Sequence, residues 1–113
     1  MIKENKNLLL KDLCSRLPYN TIVLTAGYGA TRKIKLDHQV YSWAEQGIFR
    51  IMPYLFPLSG MTEEQRNEYH ELLYNPKSGI DIDYFDWCHK NHLDCRGLIP
   101  MGLAIDATGK NIY

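Results

Sequence analysis

The sequence predicts a single small α+β domain, with an N-terminal helix, a sheet of three or four antiparallel strands and two C-terminal helices. Apolar residues recur at helical spacing near the start, β-branched residues and turn glycines follow, and a helix-capping pattern opens the second half. A chain of 113 residues can bury one modest core. The predicted parts are an N-terminal helix over 1–18, a β-rich part over 19–52, a helical part over 53–105 and a tail over 106–113.

The first helix is predicted from LLLKDLCSRL, residues 8–17, because its apolar side chains follow the i, i+3, i+4, i+7 spacing of an amphipathic helix. These positions are Leu10, Leu13, Cys14 and Leu17. Pro18 ends the helix. On this face Cys14 is expected to be a buried, inert thiol.

A hairpin is predicted next, with its turn at GYG, residues 27–29. In its second arm the alternation predicts Ile34 and Leu36 on one face and Lys33 and Lys35 on the other. A third strand is expected over 39–43 and a fourth over 47–52. Pro53 is expected to end the fourth strand because proline donates no backbone hydrogen bond.

The helical half begins at Thr62, where TEEQ matches a capping box with two acidic residues in the first turn. This helix is expected to run to about Tyr74 on the surface, since its apolar stripe is thin. Asp81 or Asp83 is expected to cap the last helix. The apolar residues over 98–105 should then return to the core.

Charge and cysteine content bear on location and partners. Residues 1–60 carry eight Lys and Arg against four Asp and Glu, whereas residues 61–94 carry three against eight. Such a chain offers surfaces of both signs to a partner, or simply two solvated faces. The first thirteen residues contain no apolar run that suits a signal peptide or a membrane span, and three cysteines suit a reducing compartment. We therefore expect a cytoplasmic protein without membrane association.

The densest group of chemically active side chains lies in WCHKNHLDCRG, residues 87–97. On a continuous helix Cys88, His92 and Cys95 would share a face and offer the ligands that zinc prefers. One helix cannot surround a tetrahedral ion, although Cys14 or His38 could complete the shell. We therefore predict no metal and no cofactor, and keep these three residues as weak candidates.

A thiol active site and a structural role are the other two interpretations of this segment. Cys88 with His92 and Asp94 imitates a Cys–His site, but burial beside aromatic residues would raise the thiol pKa, so no catalytic residue is predicted. The structural interpretation instead has Cys88 anchoring the last helix with Trp87, and His92 closing that helix with a partly protonated ring. Asp94 and Arg96 would fix the turn at Gly97. The structural motif thus comprises Trp87, His92, Asp94, Arg96 and Gly97.

A contact surface for nucleic acid or a protein partner is predicted on the hairpin, at Tyr28, Arg32, Lys33 and Lys35. Cations beside an aromatic ring are the mixture that binds phosphates and stacks bases. A pI near 6.9 argues against a dedicated DNA-binding domain. GYGATRK also lacks the spacing of a phosphate-binding loop.

Two passages, PYLFPLSGMTEEQRNEYHELL and FDWCHKNHLDCRGLIPMGLAI, resemble short proteins carried by phages, prophages and other bacterial mobile elements. In the pattern that they resemble, apolar and aromatic residues stand where this chain has Cys88 and Cys95. The resemblance implies a context, a small protein from a mobile element, but no particular activity. Together with the small size, the split charge and the lack of a complete active site, it favours a non-enzymatic inhibitor of host defence, specifically an anti-CRISPR protein that binds an RNA-guided nuclease or its guide RNA. The alternative is a small nucleic-acid-binding accessory protein.

Overall fold

The computed structural model describes residues 3–27, 29–74 and 80–113, which form four α-helices and a four-stranded sheet. The helices are α1 (Lys3–Arg16), α2 (His38–Gln46), α3 (Glu63–Tyr74) and α4 (Ile80–Lys90). The strands are β1 (Ile22–Gly27), β2 (Ala30–Lys35), β3 (Arg50–Leu55) and β4 (Ile105–Asp106). Within these ranges no helix is both long enough and apolar enough to cross a membrane. The predicted α+β class is confirmed.

The sheet has the strand order β2-β1-β3-β4 and is mixed. β1 pairs antiparallel with β2 and β3, but β4 runs parallel to β3, with Tyr54 opposite Ile105. The prediction of a purely antiparallel sheet is therefore wrong in this detail. The reason is that the chain returns from α4 and its C-terminal segment pairs with β3 in the same direction. No local turn signal predicts such a pairing.

The predicted third strand is instead the helix α2. Asp37 caps it, since its carboxylate accepts a hydrogen bond of 2.9 Å from the Val40 backbone N–H. Gly47 ends it in the left-handed region at φ 72°, with its N–H directed to the carbonyl of Ala44. Val40 and Ala44 face the core. Tertiary packing and these two caps outweigh the strand propensity of the valine and the aromatic residues.

β3 also departs from the prediction, because it continues through Pro53 to Leu55. Pro53 is buried and lies opposite Val23, where it cannot donate a ladder hydrogen bond. One residue further on, the Tyr113 hydroxyl lies between the two strands. It accepts a hydrogen bond of 2.9 Å from the Ile22 N–H and donates one of 2.8 Å to the Tyr54 carbonyl.

The C-terminal segment, predicted as a tail, makes ordered contacts with the sheet. The Ala107 N–H donates to the Leu55 carbonyl at 2.8 Å, and the Tyr113 ring stacks on His92 with centroids 3.7 Å apart. Hydrogen bonding to β3 therefore extends beyond β4, and the last tyrosine completes one end of the β1–β3 pair.

The core lies where α1, α2 and the segment after α4 meet one face of the sheet. Its buried residues are Leu9, Leu13, Val23, Leu36, Val40, Ala44, Ile51, Leu55, Leu98, Leu103 and Ala104. The inward face of α1 carries Leu9, Asp12, Leu13 and Arg16, whereas Cys14 is exposed. The expectation of a buried Cys14 is wrong because α1 is rotated to bury the Asp12 and Arg16 side chains.

α3 lies on the surface as predicted, and none of its residues is fully buried. The capping box is confirmed: the Gln65 N–H donates to Thr62 Oγ1 at 3.1 Å, and the Thr62 N–H donates to Gln65 Oε1 at 3.0 Å. The expected cap of the last helix is wrong, because α4 already includes Asp81 and Asp83.

We expect the Tyr113→Phe substitution to lower the free energy of unfolding by about 1 to 2 kcal/mol, because it removes the partner of two backbone groups at the end of a strand pair. Denaturant unfolding measures the loss, and amide exchange at Ile22 should accelerate. The control is Tyr74→Phe, since Tyr74 is 80% exposed, and it should change stability by less than about 0.5 kcal/mol. Equal effects of the two variants would contradict the bridging role.

Candidate functional site

A buried ion pair within α1 is the centre of the candidate site. The Asp12 and Arg16 side chains are fully buried and lie one helical turn apart. Arg16 donates from Nε to Asp12 Oδ2 at 2.7 Å and from Nη2 to Asp12 Oδ1 at 3.1 Å. In this bidentate geometry the planar guanidinium pairs with both oxygens of the carboxylate. Arg16 Nη2 also donates to the Leu93 carbonyl at 2.7 Å, so α1 is tied to the segment after α4.

A second arginine reaches the same carboxylate from the other end of the chain. Arg96 Nη1 donates to Asp12 Oδ1 at 2.8 Å, and the Arg96 guanidinium lies over the Phe85 ring, 4.7 Å from its centroid. The same Nη1 lies 2.8 Å from His89 Nε2. A guanidinium only donates, so Nε2 is the acceptor and His89 carries its proton on Nδ1.

Two thiols complete this group, which we call the Asp12 cluster: Asp12, Arg16, Cys88, His89, Cys95 and Arg96. Cys95 Sγ lies 3.8 Å from Arg96 Nη1 and 4.0 Å from Arg16 Nη2. A hydrogen bond with Cys88 lowers the pKa of Cys95 to about 5, and the two guanidiniums act in the same direction, whereas burial opposes them. The same hydrogen bond, together with burial, raises the pKa of Cys88. Cys95 is therefore the more acidic of the two thiols and Cys88 the less acidic.

The charges explain why a thiolate is stable at this position. Arg16 and Arg96 bring two positive charges, and Asp12 supplies one negative charge. A second negative charge is required to neutralise the cluster, and an uncompensated buried charge costs several kcal/mol. A thiolate at Cys95 would supply it. A metal ion is a poorer fit, although one ligand atom each of Asp12, His89 and Cys95 lies within 4.8 Å of the others. Arginines already bind both Asp12 oxygens and His89 Nε2, so a dication would face two guanidiniums.

The three weak metal candidates do not share a helical face. α4 ends at Lys90, and His92 adopts the left-handed conformation at φ 57°. The Cys88 and Cys95 thiols are hydrogen-bonded, whereas the His92 ring stacks on Tyr113. The premise of a continuous helix is therefore wrong, because the chain reverses after α4.

His92 does end α4, but through its backbone. Its N–H donates to the His89 carbonyl at 3.2 Å, and the Leu93 N–H donates to the Cys88 carbonyl at 2.8 Å. This pair of bonds defines a Schellman motif, with His92 at the position that glycine usually occupies. Burial, with a smaller contribution from Arg16, lowers the pKa of His92 to about 4. The expected interaction of a protonated ring with the helix dipole is therefore wrong.

Asp94 and Arg96 were predicted to fix the turn at Gly97 together, but they have different partners. Asp94 accepts hydrogen bonds from the backbone N–H groups of Leu98 at 2.7 Å and Ile99 at 2.9 Å, which fixes the turn at Gly97. Arg96 instead pairs with Asp12. Trp87 donates to Glu68 at 2.8 Å and joins α4 to α3.

The predicted contact residues are divided between the two faces of the sheet. Lys33 and Lys35 are exposed beside Leu24 and Ile22 of β1, as the strand register requires. Arg32 lies on the opposite face, where it lines a cavity of about 290 Å³ with Trp43 and other residues. Tyr28 lies outside the residues that the structure describes.

The face that carries the two lysines is only partly covered, and we call it the open sheet face. It consists of Ile22, Leu24, Ala26, Thr31, Lys33, Lys35 and Met52. None of these residues is fully buried, and the apolar ones are half-buried. β2 is at the edge of the sheet, so its outer backbone groups face away from the other strands.

The sequence reasoning missed Asp12 and Arg16, whereas His89 lies within the segment that it singled out, residues 87–97. The signal for the first two was present, since they stand at the i, i+4 spacing on the same helix face as Leu9 and Leu13. No family model matches this chain, and no curated protein and no solved structure shows significant similarity to it. The candidate site therefore rests on its own geometry.

We expect Asp12→Ala to lower the free energy of unfolding by about 3 to 5 kcal/mol, because it leaves two guanidiniums without their shared carboxylate. Thermal or denaturant unfolding measures this loss. Glu4→Ala on the same helix removes an exposed carboxylate and should cost less than about 0.5 kcal/mol. A loss below about 1 kcal/mol for Asp12→Ala would contradict the proposed role of the cluster.

The lowered pKa of His92 predicts a loss of stability in acid. The folded pKa of about 4 lies below the value of about 6.5 for an unfolded chain, so the unfolded state binds more protons between these values. Stability should therefore fall by about 1 to 2 kcal/mol as the pH drops from 6.5 to 4, because solvent screens the half-buried ring and reduces the full effect of the shift. His92→Asn, which tolerates the left-handed conformation and does not titrate, should lack this part of the pH dependence. Parallel plots of stability against pH for the parent protein and His92→Asn would contradict this prediction.

Proposed function

We propose that this chain is a non-enzymatic binding protein that acts through the open sheet face. The observation that carries the proposal is the combination on that face of two exposed lysines with half-buried apolar side chains. Lys33 and Lys35 stand two residues apart on one strand, so their side chains point the same way at roughly 7 Å spacing. Ile22, Leu24 and Met52 supply the apolar area beside them.

An anionic partner suits this surface better than a cationic one. The lysines and the apolar residues beside them resemble the polar rim and the apolar centre of a protein interface. The lysines also attract phosphate groups, and the salt concentration sets the distance over which they do so. The edge position of β2 adds backbone groups that an approaching strand or loop could meet. Lysines on an edge strand also discourage aggregation, which is compatible with a specific partner.

The partner that we propose is an RNA-guided nuclease of a bacterial defence system, bound through its guide RNA or an acidic surface. The resemblance of residues 53–105 to proteins of phages and other mobile elements supports this context. The chain would then be an anti-CRISPR inhibitor that acts in the bacterial cytoplasm, by occupying a surface and without chemistry on its target.

A test of this proposal is a binding assay against a panel of RNA-guided nucleases, each with and without guide RNA. Lys33→Glu/Lys35→Glu should weaken binding at least about tenfold, because it replaces attraction by repulsion at the contact. The control Lys11→Glu/Lys90→Glu makes the same charge change at exposed positions on α1 and α4, and it should bind as the parent does. Absence of binding and of nuclease inhibition across the panel would refute the proposal.

The alternative is a small nucleic-acid-binding accessory protein, which the same pair of lysines supports. It would bind free RNA or single-stranded DNA with an affinity that falls steeply as salt rises. Binding that requires the nuclease and changes little with salt favours the inhibitor, and salt-sensitive binding to free RNA favours the accessory protein.

A further inference from the structure

We propose that Cys95 is a reactive thiolate and that Cys88 converts its oxidation product into an intramolecular disulfide, so that the pair responds to peroxide. This inference is independent of the open sheet face. Cys95 is partly exposed, whereas Cys88 is completely buried beside it. Reagents in solution can therefore meet Cys95 first, and Cys88 can act only within the molecule.

Arg16 of α1 and Arg96 favour the anionic form of Cys95, whereas burial and the nearby Asp12 carboxylate oppose it. Arg16 and Asp12 face it from α1, His89 and Cys88 from α4, and Arg96 follows it in the chain. The carboxylate neutralises only one of the two guanidiniums. A thiolate beside cationic groups and an imidazole is the form that attacks electrophiles.

The position of Cys88 supplies the second thiol. The Schellman motif at the end of α4 folds the chain back, with the Leu93 N–H on the Cys88 carbonyl, and brings the two sulfurs into hydrogen-bonding contact. Cys88 also lies against the Tyr84 hydroxyl, and burial raises the pKa of that tyrosine. The hydrogen bond with Cys95 and burial raise the pKa of Cys88 by more than the Tyr84 hydroxyl lowers it, so Cys88 is the less acidic of the two thiols.

The reaction with hydrogen peroxide balances in two steps. The Cys95 thiolate attacks one peroxide oxygen, the O–O bond breaks, hydroxide leaves, and the sulfur is oxidised to a sulfenic acid. The Cys88 sulfur then attacks the sulfenic sulfur, and the displaced hydroxyl leaves as water with the Cys88 proton. Peroxide is the oxidant and accepts both electrons.

Oxidation also removes the negative charge that neutralises the second arginine. The Asp12 cluster would then hold two guanidiniums against one carboxylate, within a region that joins α1 to the segment after α4. We therefore expect the oxidised protein to have a lower melting temperature than the reduced protein, despite its additional cross-link.

The first test uses the unmodified chain, in which the exposed Cys14 is an internal reference. After a short exposure to iodoacetamide at pH 6, peptide mass spectrometry gives the labelled fraction of each cysteine. Cys95 should react at least about tenfold faster than Cys14, because most of it is thiolate at that pH whereas an ordinary thiol is not. Labelling of Cys95 at the rate of Cys14 or slower would overturn the proposal.

The second test follows the products of hydrogen peroxide in a Cys14→Ser background. The expected product is a Cys88–Cys95 disulfide, found as a linked peptide that disappears on reduction. With Cys88→Ser added, dimedone should trap a sulfenic acid on Cys95, whereas with Cys95→Ser added Cys88 should stay reduced. Circular dichroism checks that each variant is folded.

Two results would overturn the assignment. One is a stable sulfenic acid on Cys95 in the protein that retains Cys88, which would show that Cys88 does not convert this product into a disulfide. The other is one equivalent of zinc in the purified protein, with both thiols protected from label until a chelator is added. That result would assign the cluster to a metal.

Discussion

The shared carboxylate of Asp12 is the interaction on which most of this structure depends. It joins Arg16 of α1 to Arg96, which lies 84 residues beyond Asp12, and Arg16 also donates to the Leu93 carbonyl. These bonds fix the segment after α4 against the first helix. Because the segment is fixed, its apolar residues close the core and its last residues reach β3. Because the cluster is buried, leaving any charged member without its partner raises the free energy of the folded state. The cluster is therefore expected to form as a unit.

Local signals in the sequence predicted the elements that depend on neighbouring residues. The capping box at Thr62 and the alternation of Lys33 with Ile34 need no distant partner, and both were predictable. α2 was wrongly predicted as a strand because valine and aromatic residues suit either structure. The caps formed by Asp37 and Gly47 favour the helix. The Tyr113 hydroxyl meets Ile22 at a separation of 91 residues, and no local pattern encodes such a contact.

The candidate site was predictable in its residue types but not in its arrangement. Reasoning by helical spacing grouped Cys88, His92 and Cys95, but the reversal after α4 turns His92 toward Tyr113 and brings His89 to Arg96. Asp12 and Arg16 resemble an ordinary surface pair at i, i+4, which contributes little to stability. Their position on the helix face of Leu9 and Leu13 is a signal of burial, but their contacts with Arg96 and the Leu93 carbonyl depend on the complete fold.

The two arginines determine which chemistry the cluster supports. A zinc ion would have to compete with guanidinium groups for Asp12 and His89, and it would add two positive charges to a site that already holds two. A thiolate adds the one negative charge that the site lacks and displaces no hydrogen bond. The same electrostatic balance that stabilises the junction between α1 and the C-terminal segment therefore makes Cys95 nucleophilic. Reactivity at this position follows from how the fold is held together, whether or not the open sheet face has a partner.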